Sequence, residues 1–448
     1  MGDETKPSKF SVPSDFEGIL NKLDEIEMTT VSGRITETVG MVIRAIIPNV
    51  KTGEVCLVKR EGMEPLMCEV IGFTSEEVIL SPLGEMTGIG PSSEVIPTHR
   101  PLSVRVGPGL LGRILDGLGR PLDEATKGPL ITDSYVPIMR APPDATKRKL
   151  IREPLSVGVR VFDGVLTTGL GQRVGIFAAA GGGKSTLLGM IARNAVADVN
   201  VISLVGERGR ELREFIEKDL GTEGLKRSVL VISTSDQASQ LRLNAANVGT
   251  AIAEYFRDQG KSVIFMMDSV TRFARAIREV GLAAGEPPAR GGYTPSVFST
   301  LPRLLERSGN SDIGSITAFY TILVAGDDMN EPVADEVRSI LDGHIILSAD
   351  LARQYHYPAV DVLSSVSRVL TSITTKEHQQ LIGKIREVLA TYKKNELLIK
   401  IGEYKRGSDK NVDFAIDYVD KVNRFLRQGI EERSTWQETQ QQLKALFK

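Results

Sequence analysis

A chain containing Arg173-Val174-Gly175-Ile176-Phe177-Ala178-Ala179-Ala180-Gly181-Gly182-Gly183-Lys184-Ser185-Thr186 has few architectures open to it. Val174 to Phe177 is an apolar run of the length of a buried parallel strand. Three glycines, a lysine and a hydroxyl residue follow, and then Leu187-Leu188-Gly189-Met190-Ile191-Ala192 places apolar residues at helical spacing. Strand, glycine turn, Lys-Ser and helix form the setting of a phosphate-binding loop. Backbone N–H groups of Gly181, Gly182 and Gly183 wrap an anion, and the helix start at Lys184, Ser185 and Thr186 adds positive partial charge. Lys184 then reaches the outer phosphates and Ser185 offers a hydroxyl to Mg²⁺. The strict pattern has glycine at 178, so Ala178 fits only with negative φ. A glycine-rich turn before an ordinary helix is the plainer alternative. The conjunction of strand, Lys-Ser and helix favours nucleotide, and the cofactors it predicts are ATP and Mg²⁺.

Other apolar runs end in charge. Val263-Ile264-Phe265-Met266-Met267 leads into Asp268, and a carboxylate at that strand end belongs in the shell of a loop-bound Mg²⁺ or, more simply, caps the next helix. Val201-Ile202-Ser203-Leu204-Val205 leads into Gly206-Glu207-Arg208-Gly209-Arg210. Hydrolysis needs a carboxylate to polarise water, which suits Glu207, while Arg208 and Arg210 are placed to steady phosphate charge. For Arg210 and Arg213 local salt bridges are the better reading.

Candidate strands Val174–Phe177, Val199–Val205, Ser228–Ser233, Ser262–Met267 and Ser315–Val324 alternate with helices at Gly209–Lys218, Asn244–Gln259 and Val270–Glu279. Such alternation predicts a mainly parallel α/β sheet with the ligand at its carboxyl edge. Upstream, short β runs at Val39–Ile47, Glu54–Val58, Met67–Phe73 and Glu77–Leu80 predict a small barrel. Downstream, Leu381, Ile382, Ile385, Val388, Leu389 and Tyr392 trace one helical face and Val412 to Leu426 another. The expected organisation is a lead segment over 1–28, a β-barrel assembly domain over 29–98, an α/β nucleotide domain over 99–369 and a helical domain over 370–448. Within the lead, Phe16, Ile19, Leu20, Leu23 and Ile26 form an amphipathic helix that suits its own domain and a partner equally.

Composition excludes more than it selects. A net charge of −2 and a barrel with only Phe73 as an aromatic platform argue against nucleic acid. Cys56 and Cys68, the two cysteines, have no metal-type spacing and fit a reducing compartment. No run is long enough to span a bilayer, so membrane contact would be peripheral and through partners.

Several stretches carry a resemblance. Gly206-Glu207-Arg208-Gly209-Arg210-Glu211, Met267-Asp268-Ser269-Val270-Thr271-Arg272, Gly285-Glu286-Pro287-Pro288 and Pro358 to Arg368 resemble the rotary ATPase superfamily, related to the catalytic subunits of ATP synthase. Gly326-Asp327-Asp328-Met329-Asn330-Glu331-Pro332 and Leu304-Leu305-Glu306-Arg307-Ser308-Gly309-Asn310 are closer to the type III secretion ATPases, the injectisome kind more than the flagellar export kind. The resemblance implies a RecA-like central domain and a homohexamer with ATP between neighbours. It implies Lys184 and Ser185 at the phosphates and Mg²⁺, Glu207 as water-activating carboxylate and Asp268 in the metal shell. Tyr357 matches the adenine-stacking aromatic, and Arg368 matches the arginine that completes the adjacent subunit's site. Implied partners are central stalk and stator proteins, the export gate and chaperone–effector complexes, at the cytoplasmic face of the inner membrane. The flagellar counterpart is the nearest rival. A non-catalytic ring subunit and a RecA-like RNA translocase stand further off.

Overall fold

The computed structural model describes residues 31–179, 181–324 and 329–448. The amphipathic helix expected within 1–28 lies outside the described residues, as do Ala180 and Gly326-Asp327-Asp328.

Six strands open the described chain: β1 (Gly33–Val39), β2 (Val42–Ile46), β3 (Glu54–Arg60), β4 (Met63–Phe73), β5 (Val78–Pro82) and β6 (Glu94–Pro101). They close into a barrel in the order β1-β2-β5-β4-β3-β6. Alternate residues point inward, so Ile43, Ala45, Cys56, Val58, Cys68, Val70, Leu80 and Val95 fill it. Closure leaves no strand edge unpaired. The run Val39–Ile47, expected as one β segment, is a hairpin instead. Gly40, at φ 57°, turns the chain between β1 and β2. Cys56 and Cys68 face each other across β3 and β4 as free thiols. Burial pushes their pKa values up to about 11 and about 12.

The central domain is built on a nine-stranded sheet. Its strands include β7 (Ile114–Asp116), β8 (Arg173–Ala178), β9 (Val199–Glu207), β10 (Ser228–Thr234), β11 (Ser262–Asp268), β12 (Ser315–Leu323), β13 (Gly343–Leu347) and β14 (Val366–Ser367). They lie in the order β14-β13-β8-β12-β11-β9-β10-β7, all parallel except β14, and a short Gly309–Asn310 strand pairs antiparallel with β12. The pattern reading overlooked β7 and β13. Ile114-Leu115-Asp116 sits among turn glycines, and Gly343–Leu347 begins with the polar pair Gly343-His344.

Period-two alternation sends β8 into both cores. Val174, Ile176 and Ala178 enter one, and Phe177 enters the other. Behind Phe177 lie α2 (Ser239–Asp258) and α3 (Val270–Ala283). On the opposite face Leu187, Leu188 and Ile191 of α1 (Lys184–Asn194) cover the sheet. The C-terminal helices α4 (Lys376–Lys400), α5 (Lys410–Leu426) and α6 (Trp436–Ala445) use that same core. Ile382, Ile385, Val388, Val419, Val422, Phe425 and Leu443 pack with Val161, Phe162 and Ile176. Gly164 permits this approach, since a Cβ there would stand 2.7 Å from the Phe425 ring.

The helix expected over Gly209–Lys218 is interrupted. Gly209–Glu214 is α-helical, Phe215–Leu220 forms a π turn, and Gly221–Lys226 resumes the α-helix. Phe215 and Leu220 both reach the core, and the wide turn lets them do so. It also sets Asp219 against α1, where a Cβ on Gly189 would meet the Asp219 Cβ at 2.6 Å.

Candidate active site

The site forms at the carboxyl ends of β8, β9 and β11. β8 stops at Ala178, which stays buried in strand conformation and is not among the described residues with positive φ. The requirement placed on that alanine is therefore met. Gly181 and Gly183 take φ values of 82° and 79°, a region that residues with a Cβ avoid. Gly183 is the N-cap of α1 and supplies no side-chain cap, so the first N–H groups of the helix face the cleft. The cleft has a volume of about 460 Å³ and is lined by the glycines, Lys184, Ser185, Thr186, Glu207, Arg208, Asp219 and Arg272.

Lys184 and the two strand-end carboxylates form one buried charge cluster. Lys184 Nζ bonds Asp268 Oδ1 and lies 3.7 Å from Glu207 Oε1. Burial works against the Lys184 charge, but Asp268 and Glu207 outweigh it and hold the ammonium's pKa above its ordinary value. Glu207 is pushed up to about 7, first by burial and then by the Asp268 charge. That value suits a group that exchanges protons near neutrality. Among the described residues Glu207 Oε1 is buried without a hydrogen-bond partner, an arrangement that costs free energy unless something else fills the cleft.

Asp268 is also held from behind, since Thr321 Oγ1 donates to its Oδ1 at 2.8 Å. It does not cap α3. Ser269 does, accepting from Arg272 N at 3.3 Å. Arg208 lines the cleft but is exposed, 3.6 Å from Glu211. Arg210 pairs with Glu214 within its own helical segment, and Arg213 reaches Glu217 in the π turn.

Tyr357 joins the loop from another segment. Its ring would lie 3.4 Å from a Cβ on Gly183, its carbonyl accepts from Gln428 N at 2.8 Å, and Tyr355 meets it edge to face. Arg368 does not join. It follows β14, beside the first residues of β8, whereas the glycine loop follows the last. At about 3.3 Å per residue the length of β8 puts them roughly 17 Å apart.

Arg272 and Asp219 received no role from the pattern. Arg272 lies one helical turn beyond Asp268, lines the cleft and has a buried Nε without a partner among the described residues. Its place in an apolar-periodic helix gave no signal. Asp219 reaches Thr186 across the π turn, and burial raises its pKa.

Among the described residues no three His, Cys, Asp or Glu side chains cluster to hold a metal. The donor set fits Mg²⁺ all the same, because that ion is held by one or two protein groups with phosphate oxygens and water. Ser185 lines the cleft, and Asp268, bonded to Lys184 of the same lining, supplies the carboxylate of that donor set.

Residues 158–367 match the ATP synthase alpha/beta family, nucleotide-binding domain, and residues 374–445 match the T3SS EscN ATPase C-terminal domain. The type 3 secretion system ATPase of Xanthomonas euvesicatoria is 53% identical over 91% of this chain and 92% of the relative. The flagellum-specific ATP synthase of Bacillus subtilis is 53% identical over 93% and 96%. This chain belongs to the family of type 3 secretion and flagellum-specific ATPases. Among solved structures, the assembled ATPase EscN from the enteropathogenic E. coli type III secretion system superposes with a TM-score of 0.87. It is 45% identical, over 92% of this chain and 99% of that one. Barrel, central parallel sheet and C-terminal helices are thus the architecture of this ATPase family, and the enzyme is an ATPase of type III secretion. Among the described residues no helix is long and apolar enough to cross a membrane.

Proposed function

We propose that this chain works as a homohexameric ring, hydrolysing Mg·ATP between neighbouring subunits to promote unfolding and export of secreted proteins. The observation that carries the site reading is the buried cluster of Lys184, Glu207 and Asp268 beside the glycine loop. In it Lys184, drawn to carboxylates in the free chain, contacts outer phosphates, and Gly181, Gly182, Gly183 and Thr186 cradle them. Ser185 and Asp268 would hold Mg²⁺, which when bound neutralises phosphate charge. Glu207 orients the attacking water and takes up its proton, for which a pKa near neutrality is suitable. Arg208 steadies phosphate charge from the rim, and Tyr357 stacks on the adenine. Arg368, remote from its own loop and exposed, completes the neighbour's site.

The wider role follows the family. EscN has been solved in complex with its central stalk EscO, and that chain matches this one at a TM-score of 0.86. A central stalk and stator proteins are proposed as partners here, with the export gate and chaperone–effector complexes as the machinery served. Their place is the cytoplasmic face of the inner membrane, reached through partners. Release of chaperones from cargo is the expected first use of the ATP.

Glu207→Gln tests the reading. Glutamine keeps shape and hydrogen bonding but cannot accept the proton, so turnover should fall about 10²–10⁴-fold with Mg·ATP binding retained. Normal binding with wild-type turnover would pass the role to another carboxylate, Glu211 first. Nucleic acid should not stimulate the enzyme. Activation by single-stranded RNA that collapses with added salt would favour a translocase.

A further inference from the structure

β8 has two ends, and both are occupied by groups assigned to catalysis. Its last residue leads into the glycine loop. Its first, Arg173, and the preceding Gln172 hold the segment that carries Arg368. Gln172 is fully buried, and its Nε2 donates to the Asp342 carbonyl at 3.0 Å and to Ser367 Oγ at 3.2 Å. Arg173 donates from its backbone N and from Nε to Asp342 Oδ2, both at 3.0 Å, and from Nη2 to Oδ1 at 3.1 Å. Asp342 N returns a bond to the Arg173 carbonyl at 2.9 Å. The Asp342 carbonyl then accepts the backbone N–H of Arg368 at 3.0 Å. Among the described residues, little else restrains that arginine. It is exposed, and its guanidinium donates to the Arg338 carbonyl at 3.1 Å. Gly343, next to Asp342, has no room for a side chain, since a Cβ would stand 2.7 Å from the Val366 carbonyl and 3.0 Å from Gln172 Nε2.

A bidentate guanidinium–carboxylate pair fixes direction as well as distance. The amide of Gln172, buried between two acceptors, cannot shift without losing bonds that water does not replace. We infer that Asp342, clamped by Gln172 and Arg173, is a positioning residue that aims Arg368 at the neighbouring subunit and ties it to its own subunit's phosphate-loop strand. This rests on the proposed action of Arg368 in trans. Through it, each subunit's loop and the finger it lends share one rigid strand, and a shift of that strand moves both.

The test is to assign a variant to one side of the subunit boundary. Asp342→Asn keeps size and removes the bidentate pair. A finger displaced by about an ångström should lower kcat on the order of 10²-fold, with KM for ATP changed far less. Full-length Asp342→Asn protein is mixed with Lys184→Ala protein, whose finger is sound, and separately with Arg368→Ala protein, whose loop is sound. Recovery with Lys184→Ala and none with Arg368→Ala places the defect on the finger side, as expected. The reverse pattern would make Asp342 a support of its own phosphate loop and overturn the inference. So would recovery with neither partner, or full activity of the variant alone. Ser367→Ala, which removes only one hydroxyl from the same network, is run in parallel. It should show the same class of complementation with a smaller loss, and it serves if Asp342→Asn does not assemble. Mixing Arg368→Ala with Lys184→Ala is the control. If that pair fails to recover while mixed rings form, action in trans has failed, and the inference falls with it for a separately visible reason.

Discussion

Arg368→Ala should bind ATP like the wild type and hydrolyse it on the order of 10³–10⁵-fold more slowly, the range associated with an arginine that neutralises the transferring phosphoryl group. The geometry makes this an assembly effect. Arg368 follows β14 at the amino end of β8, and the loop that would hold its own subunit's nucleotide is at the carboxyl end. No side-chain rotation spans that strand length. Specific activity of the wild type should therefore climb with protein concentration as rings form, and the Arg368→Ala protein should stay flat. Mixing it with Lys184→Ala protein should restore part of the activity, because some boundaries then pair an intact loop with an intact arginine. If mixed rings assemble and remain inactive, Arg368 serves only its own subunit.

Lys184→Ala should lose both binding and turnover while the fold persists. Removing one charge-bearing donor from a preorganised site typically costs about 10²–10³-fold in kcat, and the lost phosphate contact weakens ATP binding, so kcat/KM falls further. A second effect acts in the same direction. Lys184 is one of the charges holding the Glu207 pKa down against burial and Asp268. Without it Glu207 is more fully protonated near neutral pH and less able to accept a proton. Lys184 lies at the cleft and not among the apolar residues of either core, so circular dichroism should be unchanged. Wild-type turnover in a folded Lys184→Ala protein would remove the phosphate-loop assignment.

The cleft was legible where chemistry follows directly on local pattern. Lys184 and Ser185 stand at fixed spacing after a strand, and Glu207 and Asp268 end apolar runs, so strand edge and carboxylate can be read together. Arg272 was not legible as a site residue, because only the three-dimensional turn of α3 brings it beside residues of β9. Asp219 was hidden by the π turn, whose wide pitch no apolar spacing announces. The barrel could be read from its short β runs, yet the hairpin at Gly40 was concealed within a run, Val39–Ile47, that reads as a single β segment. The helical periodicity of α4 and α5 was plain, but their shared core with β8 was not. A helix stripe shows that something covers it without showing what. Tyr357 and Arg368 carried no pattern of their own and came only through resemblance.

The C-terminal hairpin can be considered as a mechanical part. α4 has 25 residues, about 37 Å at 1.5 Å per residue, and its fully buried positions end at Val388. Core contacts run on through Leu389 to Tyr392, so about two-thirds of its length is anchored, and Leu397 and Ile401 are exposed near the tip. Its partner α5 ends with the Phe425 ring over Gly164, and Gln428 just beyond holds the Tyr357 carbonyl. A beam built in at one end carries its greatest bending moment at the support. Sideways load on the exposed tip is therefore resisted most strongly in the shared core, a few residues from Tyr357 and the glycine loop.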